Sequence, residues 1–460
     1  MRKAIAPAAI AAPATSDERL GLPFILTLVY VVVEYARPAN PMKIPLIISI
    51  LLLVNWITAP EKRWSPQASW FLVLLAVIAV TGPFALNTYA ALWGFVAMVT
   101  QLVFICIPMM TFLSSLRRLT IFINTLLVVL AYIALYGLFH AGQGPGGHIG
   151  DENDLALALN MVIPYAYMSI FLAEDLGQRL LYLGTFGLMV ATVIGTFSRG
   201  GFLGLVAMLA FCLLMSPKKR VAVTVALVLS LGIVTFAPSA YWDRVSTIAD
   251  EASDHATGTG FLRRQFWAIA REMFYQNPAF GVGFKNFQWN IDQYESAEQR
   301  ARVGRSFSGM AAHSVYFTVL AELGLAGAIV FVTIIGYDVR DMRRVVQWCA
   351  RLRHGEAAQF GAAHDAARAE AYARAMQASL IGFLVSGAFL SAFDYPHFWV
   401  LTSLIVALKY VTADLVQAAE PTRATIDRDR VTPPHVQAAG SPQTAWWQHG
   451  GEPYPPILER

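Results

Sequence analysis

The sequence predicts an all-α, polytopic membrane bundle of roughly a dozen transmembrane helices, and three observations predict it. The 460-residue chain is 56% hydrophobic and only 14% charged. Its mean hydropathy of +0.51 is too high for a soluble domain of this length. The apolar residues also fall into separate runs of near-spanning length, with basic residues gathered in alternate connections. The three cysteines, Cys106, Cys212 and Cys349, are scattered, so neither a disulfide framework nor a zinc site follows. No fixed-period repeat is present, which excludes solenoids. The formal charge of +4 is explained by topology, and no nucleic-acid partner is expected.

Residues 1–19 carry Arg2 and Lys3 ahead of an Ala/Pro-rich stretch without a cleavable apolar core, and read as a cytoplasmic lead. Spans are then expected at Leu20–Tyr35, Ile44–Thr58, Trp70–Leu86, Ala91–Phe112, Leu119–Phe139 and Leu155–Leu172. The second half continues with Leu180–Phe197, Gly201–Met215, Val221–Phe236, Ser314–Tyr337, Ala378–Phe393 and Phe398–Leu415. Lys62-Arg63, Arg117-Arg118, Lys218-Lys219-Arg220 and Arg340, Arg343 and Arg344 all fall on one side, which the positive-inside bias makes cytoplasmic. The bundle thus occupies residues 20–418, with an outward loop at 237–312, a cytoplasmic loop at 338–376 and a disordered cytoplasmic tail at 419–460.

Ser198-Arg199-Gly200-Gly201 interrupts the apolar stretch from Leu180 to Met215. An arginine at bilayer depth is costly unless it faces water or an anion, so Arg199 is either a functional cation or a side chain snorkelling to headgroups. Within the outward loop, Leu262, Phe266, Ile269 and Met273 recur at helical spacing, which predicts an amphipathic helix over Phe261–Gln276, ended by Asn277-Pro278. Its Arg263, Arg264 and Arg271 read either as a solvated face or, since they lie on the side that the positive-inside bias depletes, as contacts for an anionic partner. Gly281-Val282-Gly283-Phe284, followed by Lys285, reads as a plain turn or as an anion cradle built from backbone amides.

His313 opens an apolar run, and reads either as an interfacial histidine hydrogen-bonding locally, the preferred reading from this residue alone, or as a base whose neutral form the helix N-terminus favours. Glu322, nine residues on, points away from it and reads as a helix-packing residue. Asp151, Glu152 and Asp154 either cap the following helix or bind a divalent cation, with capping or acceptor contact the preferred reading. Glu34 and Arg37 read as an i,i+3 ion pair at the end of the first span. Asp394-Tyr395-Pro396-His397 either lines the outward mouth or closes a helical hairpin.

Three ordered strings resemble one family: Gly195-Thr196-Phe197-Ser198-Arg199-Gly200-Gly201-Phe202-Leu203-Gly204, then Trp267…Pro278…Gly281-Val282-Gly283-Phe284…Phe287, then His313-Ser314-Val315-Tyr316 through Gly327. They are similar to the bacterial O-antigen ligase and Wzy-type polymerase superfamily, most strongly over Leu180–Tyr337. Asp151-Glu152-Asn153-Asp154-Leu155-Ala156-Leu157 resembles the O-glycosylation ligase branch. The resemblance implies a GT-C-like, inverting glycosyltransferase of the bacterial inner membrane, active on the periplasmic face without metal or other cofactor. Its implied partners are an undecaprenyl-diphosphate-linked glycan donor and a glycan, lipid or protein acceptor. It implies Arg199, Arg263 and His313 as catalytic, the arginines on the diphosphate and the histidine as base. Arg264, Arg271, Arg37, Lys285, Asp154 and Tyr316 are the expected substrate-binding residues. A ligase and a polymerase joining lipid-linked repeats, for example of an exopolysaccharide, are the same chemistry with different acceptors. A lipid-linked sugar flippase or transporter is the other class, but it would place ionisable residues near the midplane in repeated helices.

Overall fold

Short polar side chains ahead of the apolar runs fix where the helices begin. The side chains of Ser65, Asn87, Ser115, Asp151, Asp175 and Ser198 each accept a hydrogen bond from a backbone N–H in the first turn that follows. Those amides would otherwise lack partners. The structure, a computed structural model, describes residues 20–37, 44–216, 258–303, 306–354 and 362–431, with isolated positions between 218 and 227. The lead, the expected span Val221–Phe236 and the end of the tail beyond residue 431 lie outside the described residues.

In chain order the helices are α1 Leu22–Ala36, α2 Ile44–Thr58, α3 Pro66–Thr81, α4 Thr88–Val99, α5 Ile107–Phe112, α6 Leu116–Phe139, α7 Glu152–Leu172, α8 Leu176–Gly195 and α9 Arg199–Met215. A π-helical turn, Thr100–Cys106, joins α4 and α5 into one rod. Then follow α10 Gly258–Gln276, α11 Phe287–Tyr294, α12 Ala297–Val303, α13 Val315–His354, α14 Ala362–Ser386 and α15 Pro396–Val431. No strand occurs among the described residues. Seven of the described helices are long and apolar enough to cross a membrane, and α1, α2 and α9 are shorter apolar helices. The chain is thus an all-helical, multi-pass membrane protein.

Three boundaries differ from the sequence reading. The segment 338–376 is largely helix, because α13 runs on to His354 and α14 starts at Ala362. An ion pair of 2.6 Å between Arg353 and Glu370 holds the two extensions together. Gly387–Phe393 leaves the helix expected at Ala378–Phe393, since α14 ends at Ser386 and a 3₁₀ turn, Gly387–Phe389, follows. The last helix continues to Val431, past the expected start of the tail.

Helix α7 is the axis of the bundle: 89% of its apolar window is buried, against 28% for α8. It packs on α8, α9 and α14. Close approach to α9 depends on small residues. A Cβ on Gly201 would collide with Ala156 of α7, and one on Gly204 with Ser386 of α14. Asn160 ties the three helices, its Nδ2 donating to the Gly201 carbonyl at 2.8 Å and to Ser386 Oγ at 3.1 Å.

The bundle has two unlike ends. At the basic end, Arg63 pairs with Asp414 and Arg368 with Glu174. Just inside it, Gln67 Nε2 of α3 donates to Asp338 Oδ1 at 3.3 Å and Asp341 Oδ2 at 3.0 Å, both on α13. From α15, Thr402 Oγ1 donates to Asp338 at 2.7 Å and Lys409 Nζ to Asp341 at 2.8 Å. The opposite end gathers Arg37, the 140–151 connection, the Ser198 corner, α10–α12, His313 and the 387–397 connection. Every non-glycine residue with positive φ among the described residues sits at this end: Arg37, Ala141, Phe197, Lys285 and His313.

Candidate active site

The Ser198 corner is built by its neighbours on both sides. Phe197, at φ +54°, turns the chain out of α8. Ser198 then caps α9 by accepting from the Gly201 N–H at 3.0 Å, and its Oγ donates to Asn153 Oδ1 at 2.7 Å. A Cβ on Gly200 would come within 2.8 Å of Phe389, so the glycines let α9 begin directly against α7 and the 3₁₀ turn. Arg199 is therefore the first residue of α9, where the helix dipole already carries partial positive charge. A guanidinium placed there raises the local positive potential and favours an anion.

Phe389 links this corner to the outer helix: the Arg263 guanidinium of α10 lies 5.8 Å from its ring centre. The apolar face of α10 is the one its spacing predicts, with Phe266, Ile269 and Met273 buried against Phe287, Ile291 and Phe307. Trp267 stacks on Phe317 of α13 at 5.2 Å and 18°. Its indole N–H is buried without a hydrogen-bond partner among the described residues, a donor left over for a ligand.

His313 precedes α13 in a left-handed backbone conformation, φ +49°, and its ring lies 6.0 Å from that of Phe266. Such a conformation costs about 1–3 kcal/mol in a non-glycine residue and persists where surroundings enforce it, often at functional sites. Burial pushes the imidazole pKa down, the Arg263 charge pushes it further, and Asp151 opposes both. Arg199, Arg263 and His313 therefore share one neighbourhood, connected through Phe389, Asn153 and Asp151.

A second group adjoins it. Lys285, at φ +59°, pairs with Asp394 at 2.7 Å. Burial alone would lower the Lys285 pKa, but Asp394, with help from Glu322, raises it on balance. The pair stands at a cavity of about 120 Å³ lined also by Phe284, Gln288, Thr318 and Ser391. The anion-cradle reading of the Gly281–Phe284 turn fails here, because its amides are already used. The N–H groups of Gly281, Val282 and Gly283 donate to the carbonyls of Asn277, Ala321 and Glu322 at 2.8–3.0 Å. Glu322 completes this clasp, accepting from Lys285 N at 2.9 Å and Phe287 N at 3.0 Å. The partner strand of the clasp is a break in α13, where Gly324 has φ +60° and ψ −155°. Glu322→Ala strands those two amides at about 1–3 kcal/mol each. Limited proteolysis should then cut the 278–287 segment faster than in the parent protein; an unchanged cleavage rate would refute the anchoring role.

Within the acidic cluster Asp151 is the helix cap and Asp154 faces another partner. Asp151 Oδ1 accepts from Asn153 N and Asp154 N, both at 2.8 Å, and Asp154 accepts from the Tyr395 hydroxyl at 2.8 Å. The Asp394–His397 turn does line the same end. His397 Nε2 donates to the His148 carbonyl at 3.3 Å, so its Nδ1 accepts from the Tyr35 hydroxyl at 2.9 Å. Arg37 makes the expected pair with Glu34 at 3.7 Å and also presses on Gly147, where a Cβ would collide with its guanidinium.

The remaining expected residues lie along α10 and at the start of α13. Arg264 is half-buried beside Arg263 on α10. The Tyr316 hydroxyl donates to the Leu384 carbonyl at 2.7 Å, tying α13 to α14. Arg271 is exposed and stands eight residues, about 12 Å, along α10 from Arg263, in a separate groove. Sequence reasoning missed Asn153, Phe389 and the Lys285–Asp394 pairing, which carry no local signal because each acts through a partner distant in the chain.

A family model described as O-antigen ligase matches residues 184–332. Residues 184–332 thus form a domain of O-antigen ligase type. The matched O-antigen ligase domain runs from within α8 to the middle of α13, and so contains the Ser198 corner, α10 with Arg263, the clasp and His313. Its family supports a membrane enzyme of ligase or polymerase type, acting on lipid-linked glycans. No curated protein matches the chain.

Proposed function

We propose that the chain transfers a glycan from undecaprenyl diphosphate to an acceptor hydroxyl, at the periplasmic face of the bacterial inner membrane. The observation that supports this reading best is that Arg199 at the start of α9, Arg263 and His313 lie at one end of the bundle, with burial and Arg263 lowering the His313 pKa. The basic residues at the other end favour the cytoplasm, which turns the site outward. The ten apolar helices among the described residues, seven of spanning length and three shorter, are in keeping with a GT-C-like arrangement.

His313 takes the acceptor's proton as its oxygen attacks the anomeric carbon. The bond from that carbon to the diphosphate oxygen breaks, and the anomeric centre inverts. Negative charge then grows on the departing diphosphate, where Arg199 and Arg263 hold it through paired N–H donors. The two guanidiniums and the dipole of α9 supply the charge stabilisation, so the step needs no other cation in this reading. The Lys285–Asp394 pair and its cavity sit where the transferred sugar would be held.

Purified protein reconstituted with a lipid-linked oligosaccharide and candidate acceptors tests this. Arg199→Lys keeps the charge but loses the fork, and turnover should fall about 10²-fold. Unchanged turnover and donor affinity would remove Arg199 from the diphosphate. A single addition to the acceptor marks ligase chemistry, and a ladder of products marks polymerisation.

A further inference from the structure

The groove that holds Arg271 has a chemistry of its own. It lies between α10 and the α11–α12 segment and encloses about 690 Å³, within the range of about 300–1,000 Å³ typical of ligand sites. Its walls carry Tyr275, Gln276, Gln293, Tyr294, Glu295 and Gln299. Planar amides and carboxylates present paired donors and acceptors to neighbouring hydroxyls, and tyrosine rings offer flat apolar faces. Tyr275 is 69% exposed, with its ring open to the groove.

The walls are preformed. Asn277 Nδ2 donates to the Tyr294 hydroxyl at 2.8 Å, and α10 and α11 share the apolar cluster beneath. Charge does not favour a phosphate ligand, because the one basic side chain of the lining, Arg271, is balanced by Glu272, while Arg300 is taken up by Glu295 at 3.2 Å. A peptide partner would need a buried apolar anchor site, and the lining is polar.

We infer that this groove binds the glycan itself, several sugar units from the diphosphate end, as a holding site for long chains. The inference rests on the proposed transfer reaction for its purpose but not for its binding chemistry. Holding the distal chain raises the effective concentration of the reactive end at the catalytic cluster, so donors with long glycans should be used in preference to short ones.

The probe is the free oligosaccharide released by mild acid from the producing cell's lipid-linked glycans, labelled at its reducing end. Fluorescence anisotropy measures its binding to the full-length protein in nanodiscs. The triple variant Tyr275→Ala, Gln276→Ala, Gln293→Ala should weaken binding about tenfold or more. Gln293→Trp, which fills the groove instead of emptying it, should do the same, while His313→Ala binds as the parent does. In the transfer assay the triple variant should lose the preference for long-chain donors and keep its turnover of single-repeat donors. No binding by the parent, or equal binding by parent and both groove variants, overturns the inference. Absent transfer by the parent protein, with groove-dependent binding intact, overturns the proposed reaction instead.

Discussion

His313→Gln lowers glycan transfer about 10²–10⁴-fold while donor binding persists, the loss expected when a general base is removed and the binding groups stay. The sharper test is the pH profile. Only neutral imidazole can accept the proton, so activity falls as pH drops through the His313 pKa, which burial and Arg263 hold below 6.5. Arg263→Gln removes a charge that lowers this pKa, so the acid limb of its residual activity should move to higher pH. Asp151→Asn removes a charge that raises it, so that limb should move to lower pH. Asparagine caps a helix as well as aspartate does, so α7 should stay intact in that variant. Shifts in the same direction, or none, would disqualify His313 as the titrating base. Linkage has the matching sign: the folded protein binds this proton less readily than the unfolded chain. The contribution is therefore fully present above the unfolded pKa and is lost as pH falls below it.

Gly281→Ala and Gly324→Ala should each remove most folded protein from the membrane. Both glycines have positive φ, +68° and +60°, and an alanine forced into such a backbone costs about 1–3 kcal/mol before any contact is considered. Contacts add to this. A Cβ on Gly281 would strike the Glu322 backbone, and one on Gly324 would lie 2.6 Å from the Ala279 carbonyl carbon. Main-chain atoms held by the clasp cannot swing aside as a flexible side chain can, so overpacking adds about 1–3 kcal/mol. Gly187→Ala on α8 is the control: a Cβ there meets nothing within 4 Å. It should match or exceed the parent, since alanine favours helix by about 0.5–1 kcal/mol. Size-exclusion profiles and thermal unfolding in detergent would read all three. A parent-like melting temperature for Gly324→Ala would mean that the clasp is not a fixed part of the fold.

Much of this molecule is legible in the sequence because single positions carry the signal. Apolar runs mark the spans, and Ser198 and Asp151 announce their helices by capping chemistry. The 3–4 residue spacing of Leu262, Phe266, Ile269 and Met273 predicts the buried face of α10. What escaped depends on pairs. Nothing near Lys285 indicates Asp394, 109 positions later, and nothing near Ser198 indicates Asn153. The Gly281–Phe284 turn was ambiguous for a related reason. A run of amides suits an anion as well as it suits another segment of chain, and only the break at Gly324 shows which one arrives. Arg263 and Arg271 look alike in a helical reading, and they separate only because α10 is long enough to reach two different surfaces.

The buried polar knot at the basic end sets an order of assembly. Asp338 and Asp341 leave the ribosome well before their partners in α15: Thr402 follows 64 residues after Asp338, and Lys409 follows 68 after Asp341. Until then Gln67, made far earlier, is the neutral side chain at hand for both carboxylates. Asp341 has Arg340 of its own helix beside it at 3.1 Å from the start, whereas the hydroxyl for Asp338 and the second cation for Asp341 arrive only with the last helix. A chain stopped short of Thr402 would leave Asp338 with Gln67 as its one side-chain partner among the described residues, a buried carboxylate only half satisfied.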